Sequence, residues 1–237
     1  MPLHRPIKRD QRRLFTNVKA TPRITAPQRS QPPARRILVT GMSAILIVAV
    51  LAFGGNDYWS VTILEAGSVI LLLFWLLPQL SSGKIQLRSG LLYLPMILFG
   101  SIIVAQVVLG LSAYAYVTRF ELWKYAAYGG LFLLANQCGR TEAHRLLTIL
   151  ATFGFVVALC ALLQYLTGRG EIYWKWPGLS SSFGPYFDHN HYAGLMEMLT
   201  PIPLVIALME GSRRHAQLLW MVPAILMAAT IFVCGSR

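Results

Sequence analysis

Apolar residues fall along this chain in blocks. From position 37 onward, stretches of roughly twenty apolar residues alternate with short polar breaks, the blocks running 37–53, 60–80, 91–109, 120–138, 146–166, 192–209 and 217–234. A hydrocarbon layer of about 30 Å needs roughly 20 residues of helix, so each block has about the length of a membrane crossing. Inside lipid every backbone N–H and C=O must be paired within its own segment, which makes the blocks helices. The pattern therefore predicts an all-α fold, a polytopic membrane helix bundle with about seven transmembrane helices. The block at 120–138 is the weakest of them, because Glu121 and Lys124 lie at its start.

Composition agrees, with 55% of the 237 residues hydrophobic and only 13% charged. Soluble domains carry about 25% charged residues, so a disordered chain is excluded and a soluble enzyme disfavoured. The formal charge of +12 changes the picture at one end. Ten of the 21 Lys and Arg residues fall within positions 1–36, where Asp10 is the only acid. That stretch cannot bury a core and is expected to be a disordered basic cytoplasmic tail, able to lie on anionic headgroups of membrane lipids. Placement beside a membrane segment explains the charge better than nucleic-acid binding, and no nucleic-acid partner is expected. Residues 37–237 form the expected transmembrane domain. Phe53-Gly54-Gly55 offers no small-x-small cleavage site, so the first block reads as a retained signal anchor.

Orientation follows from the bias of Lys and Arg toward the cytoplasm. With the tail inside, the loops on its side hold Lys84 and Arg88, Arg140 and Arg145, and Arg213 and Arg214. Sixteen basic residues then lie inside and five outside, the five being Arg119, Lys124, Arg169, Lys175 and Arg237. The first outer loop, Gly54-Gly55-Asn56-Asp57, has none. The 167–191 loop and Arg237 are thus expected to face outward.

That loop gathers the candidate chemistry. It ends in Ser182-Phe183-Gly184-Pro185-Tyr186-Phe187-Asp188-His189-Asn190-His191-Tyr192-Ala193-Gly194, directly before a span. Asp188 or Asn190 suits the N-cap of that helix. A helix start opening outward presents unpaired amides and a positive dipole end, a ready anion site flanked here by His189 and His191. Asn190, Gly194, Glu197 and Pro201 recur at helical spacing and share one face. A carboxylate at the depth of Glu197 should face the bundle interior or a wet cavity, either as an interhelical partner or as a functional group; Glu65 admits the same two readings. Arg237 closes the last span, where it either snorkels or grips a phosphate. Tyr and Trp at the helix ends (Tyr58, Trp59, Tyr114, Trp123, Trp174, Trp176) form an interfacial belt, or a surface on which sugars stack. His189 and His191 have no further ligands at metal-binding spacing, and Cys138, Cys160 and Cys234 form neither a metal nor a disulfide framework. No nucleotide-binding loop or hydrolase motif occurs, and no cofactor is expected.

The block from Ser182 to Gly194, followed by Glu197 and Pro201, resembles a pattern of the bacterial O-antigen ligase and polymerase family: Gly-x-Phe-x-x-x-Asn-His-Phe/Tyr-Ala-Gly leading into a helix. Ser236-Arg237 is similar to the start of the family's Ser-Arg-Gly motif, and Tyr116 to Tyr125 is similar to the segment before a middle span. The likeness covers roughly 91–237. It implies a metal-independent, inverting glycosyltransferase of the bacterial inner membrane. Such proteins transfer a glycan from undecaprenyl pyrophosphate to a lipid or saccharide acceptor on the outer face. By the same resemblance Arg237 would bind the pyrophosphate, and Asn190 and His191 match the helix-entry motif without a role of their own assigned by it. A pyrophosphate leaving group calls for cations at the membrane surface, so Arg119, Asn190 and His191 are expected as further substrate-binding residues. Family members continue beyond the Ser-Arg motif into a large outer loop bearing a functional His. The chain is therefore expected to be an incomplete, inactive portion, with no catalytic residue assigned in it. The alternatives are a transporter or lipid-glycan flippase using Glu65 and Glu197, and a scaffold docking through its basic tail.

Overall fold

A computed structural model of the chain describes residues 33–54, 57–83, 85, 87–88, 90–168, 171–178, 181–209 and 214–235. The elements are α1 (Pro33–Leu51), α2 (Tyr58–Ser81), α3 (Tyr93–Val108), α4 (Ala115–Gln137), α5 (Arg140–Thr167), β1 (Glu171–Ile172), β2 (Trp176–Pro177), α6 (His189–Leu199), α7 (Pro201–Met209) and α8 (Arg214–Val233). The expected all-α bundle is observed, with one two-residue antiparallel hairpin added in the longest loop. Residues 1–32 of the expected tail lie outside the described residues. Its last four, 33–36, are the first turn of α1 rather than tail.

Five segments are long and apolar enough to cross a membrane: Ala34–Leu51, Tyr58–Ser81, Arg140–Thr167, His189–Met209 and Arg214–Val233. The other two expected crossings differ from these. The third helix has only 16 residues, which at ~1.5 Å per residue is roughly 24 Å, short of the ~30 Å of a hydrocarbon core. The fourth is long enough at 23 residues but carries Arg119, Glu121 and Lys124 in its first half. These two helices pack on each other, and Tyr125 ties them by donating its hydroxyl to the Met96 carbonyl at 2.7 Å.

Helices run beyond the apolar blocks at several ends. α4 begins at Ala115, α5 at Arg140 and α6 at His189, each before the block that marks it. Hydropathy reports the part buried in lipid, whereas the backbone ladder continues through polar interfacial turns. The sixth crossing is broken at Thr200 into α6 and α7. Pro201 and Pro203 have no N–H to give the carbonyls of Glu197 and Leu199, so the regular ladder lapses there.

Successive helices alternate between two ends of the bundle. At the first end Arg35 pairs with Glu142 at 3.6 Å, and Gln137 donates to the Tyr93 hydroxyl at 3.0 Å. At the second, Tyr173 donates its hydroxyl to the Leu51 carbonyl at 2.7 Å, and Tyr58 meets Phe120 edge-on at 5.8 Å. The core has two parts. Val39 and Met42 of α1, Leu71 of α2, and Leu131 and Leu134 of α4 form one. Val157, Ala158 and Ala161 of α5, with Tyr192, Met196 and Leu199 of α6 and Met227 of α8, form the other. Ala151, Gly154, Ala158 and Ala161 recur every three or four residues and are all buried, so α6 and α8 can approach the α5 backbone closely. At Gly154 an added Cβ would lie 2.7 Å from the Met227 methyl and 3.0 Å from Leu199.

Candidate functional site

The second end of the bundle holds the loop before α6. Its architecture begins with Gln164, a buried amide near the end of α5. Its Nε2 donates to the Gly184 carbonyl at 3.2 Å, and its Oε1 accepts the Tyr173 N–H at 3.2 Å. One side chain thus holds both the β1–β2 hairpin and the turn at 183–186. In that turn Phe183 and Tyr186 exchange backbone hydrogen bonds at 3.0 and 3.2 Å across Gly184, whose φ is +58°. An added Cβ there would press on Ala161 and on the Tyr192 ring. Gly54, with φ +78°, lies directly under the Tyr186 ring, so both glycines are required by backbone conformation and by close approach.

Aromatic rings cover this end. Phe53 stacks on Phe187 at 5.5 Å and meets Tyr173 and Trp176 edge-on at 6.0 and 6.4 Å. Phe53, Tyr173 and Trp174 all have φ near +54°, a left-handed conformation that costs a non-glycine residue about 1 kcal/mol or more. The tight turn of the hairpin imposes it on Tyr173 and Trp174, closed by the Lys175 N–H on the Ile172 carbonyl at 3.2 Å. Trp174, Trp176 and Phe187 remain exposed, so they form a solvent-facing aromatic ledge. Burial holds the Tyr173 phenol above its ordinary range and pushes Tyr186 up to about 12, with Tyr173 adding to the latter. Both phenols are therefore hydrogen-bond donors at neutral pH, not bases.

The start of α6 is closed rather than open. The His189 N–H donates to the Ser181 carbonyl at 2.7 Å, and the Asn190 N–H to the Asp188 carboxylate at 2.8 Å. The His191 and Tyr192 N–H groups turn back to the Asp188 carbonyl at 3.1 and 3.4 Å. All four first amides are occupied, and a carboxylate already sits on the positive dipole end. The expected amide cradle for an anion is thus not present; Asp188 fills it as the N-cap. His189 is also turned into the loop, its Nδ1 3.1 Å from the Ser181 carbonyl. A carbonyl only accepts, so Nδ1 carries the proton and Nε2 is the acceptor of the neutral ring.

Asn190 and His191 are exposed neighbours on the first turn. The end of α8 comes beside them, with Cys234 Sγ 3.9 Å from the His189 carbonyl and 3.0 Å from that of Ile231. Arg237 lies outside the described residues, which reach Gly235 on that same end. Arg119 is exposed on α4. That helix packs on α2 and α3, whereas α6 packs on α5, α7 and α8, so the bundle does not bring Arg119 to Asn190 and His191. Asn190, Gly194 and Glu197 do share a face of α6, while Pro201 opens α7 beyond the break at Thr200; Glu197 is exposed on that face, contrary to the expected inward orientation. The opposite face, with Tyr192, Ala193, Met196 and Leu199, takes the core position because those side chains fill the gap against α5 and α8.

Gln164, Phe53 and the conformational demand at Gly54 and Gly184 were not singled out in the sequence, whereas Trp174 and Trp176 were, as belt or sugar-stacking residues. A lone amide late in an apolar block was the available signal for Gln164. The fold and site define a class, a helical membrane protein with an aromatic, polar ledge at one end. Comparison with protein-family models, curated proteins and solved structures yields no match to this chain.

Proposed function

We propose that the chain is a membrane protein of the O-antigen ligase and polymerase type. Its ledge end would face the outside of a bacterial inner membrane. There it handles a glycan carried on undecaprenyl pyrophosphate, destined for a lipid or saccharide acceptor. The supporting observation is the meeting of the α6 start with the end of α8, where Cys234 Sγ lies 3.9 Å from the His189 carbonyl. Together these two places hold Asn190, His191 and the residues leading to Ser236-Arg237, the two motifs of the resemblance. Asp188 occupies the α6 amides, so the pyrophosphate is held by side chains. Arg237 supplies a planar fork of donors suited to phosphate oxygens, while Asn190 and His191 donate from the first turn of α6. Arg119, on another part of the bundle, contributes less. Exposed Trp174 and Trp176 offer apolar faces to sugar rings.

A transporter reading needs Glu65 and Glu197 on one path. α2 packs on α1 and α4, and α6 on α5, α7 and α8, an arrangement that gives the two carboxylates no common wall.

The test is retention of a polyprenyl-pyrophosphate oligosaccharide by the purified chain, with polyprenyl monophosphate as the comparison. Preferential retention of the pyrophosphate, reduced about tenfold by Arg237→Gln and by Asn190→Ala, is expected; a tenfold change corresponds to ~1.4 kcal/mol. Equal retention of both lipids, or indifference to both substitutions, overturns the reading.

A further inference from the structure

At the opposite end of the bundle, α1, α2, α4 and α5 border an open cavity of about 810 Å³. It is lined by Arg35 and Leu38 of the first helix, Phe74 and Trp75 of the second, and Leu134 of the fourth, with Arg88 at its edge. All of these lie within about two turns of a helix end or in the loop beside it, so in a spanning bundle the cavity lies near the level where headgroups meet hydrocarbon. Its lining is mixed: Leu38, Phe74 and Leu134 are apolar, and the Arg35 and Arg88 guanidinium groups and the Glu142 carboxylate are polar.

The polar groups are anchored. Arg88 Nη1 donates to the Cys138 carbonyl at 2.9 Å, and the Arg88 N–H donates to Gln137 Oε1 at 2.8 Å. This pins an otherwise exposed side chain over the end of α4. Arg35 Nη1 lies 3.6 Å from Glu142 Oε1; the Glu142 side chain is 5% exposed and that of Arg35 57%. Glu142 is therefore matched by Arg35, and Arg88 leaves the cavity with a net positive charge. A guanidinium has five donors in a fixed fork, and each of these two is oriented through a single nitrogen of that fork.

We propose that this cavity binds an anionic phospholipid, its phosphate between Arg35 and Arg88 and an acyl chain along Leu38, Phe74 and Leu134. The charge, the depth and the mixed lining all favour a lipid phosphodiester over free phosphate, because free phosphate has no use for the apolar residues. Basic cavities between helices at a membrane surface recognise headgroups by this combination. The site is independent of the ledge at the other end and of any glycan chemistry there.

The test is native mass spectrometry of the full chain released from micelles, with phosphatidylglycerol, phosphatidylethanolamine or phosphatidylcholine added. Phosphatidylglycerol should be retained at least tenfold more tightly than the other two, and 10-fold excess inorganic phosphate should not displace it. Arg88→Gln should lower that retention about tenfold. Ser82→Trp, at an exposed helix-end position lining the cavity, should lower it by blocking entry with both arginines intact; it also covers the case in which Arg88→Gln fails to fold. Lys124→Gln, near the start of α4 at the far end, should leave it unchanged. Equal retention of the three lipids, a preference for phosphatidylethanolamine, displacement by phosphate, or retention that survives Ser82→Trp overturns the proposal.

Discussion

Tyr192 and Thr230 join α6 to α8 through a hydrogen bond buried from solvent. The phenol hydroxyl donates to Thr230 Oγ1 at 2.9 Å, and the Thr230 hydroxyl in turn donates to the Met227 carbonyl at 2.8 Å. Both residues are fully buried. The pair fixes the first turns of α6 against the last turns of α8, and so determines that the 181–190 loop and the end of the chain's last described helix share one surface.

Removing one partner of that bond should have unequal effects. In Tyr192→Phe, Thr230 keeps its acceptor in Met227, and the loss should be about 0.6 kcal/mol, typical of hydrogen bonds between membrane helices. Thr230→Val strands a buried phenol and should cost about 1–3 kcal/mol. Thermal unfolding in detergent of the two single variants and the double variant measures the coupling, which is expected to be smaller than the Thr230→Val effect.

Gln164→Leu should release the loop while leaving the helices. The Tyr173 N–H and the Gly184 carbonyl would both lose their partner, at about 1–3 kcal/mol for each group that stays buried. Limited proteolysis from the ledge side should cut within 171–187 several times faster in the variant, with helix content by circular dichroism unchanged.

Gly184→Ala should destabilise the same loop for a different reason. The position has φ +58°, and the new methyl would meet Ala161 and Tyr192. A cost of about 1–3 kcal/mol is expected from conformation and crowding together. The expected readout is a lowered melting temperature that restoring glycine fully reverses.

Alkaline pH should loosen the ledge. Burial raises the folded-state Tyr186 phenol to about 12, against about 10 when unfolded. Between those values the folded chain holds the proton that the unfolded chain has lost. Stability from this group is therefore complete below pH ~10 and declines as pH rises toward 12. Unfolding midpoints measured from pH 8 to 12 should fall above pH ~10, and Tyr186→Phe should flatten that fall.

The two ends should label from opposite sides of a membrane. On a background with Cys138, Cys160 and Cys234 changed to Ser, Ser181→Cys should react with an impermeant thiol reagent added outside intact cells. Ser82→Cys should react only after the cells are opened. The reverse pattern would place the ledge in the cytoplasm and end the proposed outer-face role.

The open stripe of α6 shows how far residue spacing reaches. Positions 190, 194 and 197 share a face because 3.6 residues make a turn, and that much holds whatever surrounds the helix, whereas position 201 falls beyond the break that the prolines introduce. Which face turns inward was decided by volume. Tyr192, Met196 and Leu199 fill the space left by the small residues of α5, so Glu197 turns outward. Similarly, Asp188 is a suitable cap from its type alone, but its carboxylate closing the amides that an anion would use appears only once the loop is folded.

The sequence alone determined that the chain is built of apolar helices, where most of them lie, and that successive ones alternate between two ends, because burying backbone in lipid leaves helix as the solution for each long apolar block. Only the tertiary structure decided that α3 is short and leans on a charged α4, that Gln164 serves two segments at once, and that Arg119 stands apart from Asn190 and His191. Those outcomes depend on which helix packs beside which, and packing depends on the shapes of side chains distant in sequence, a quantity that hydropathy and spacing along one chain do not contain.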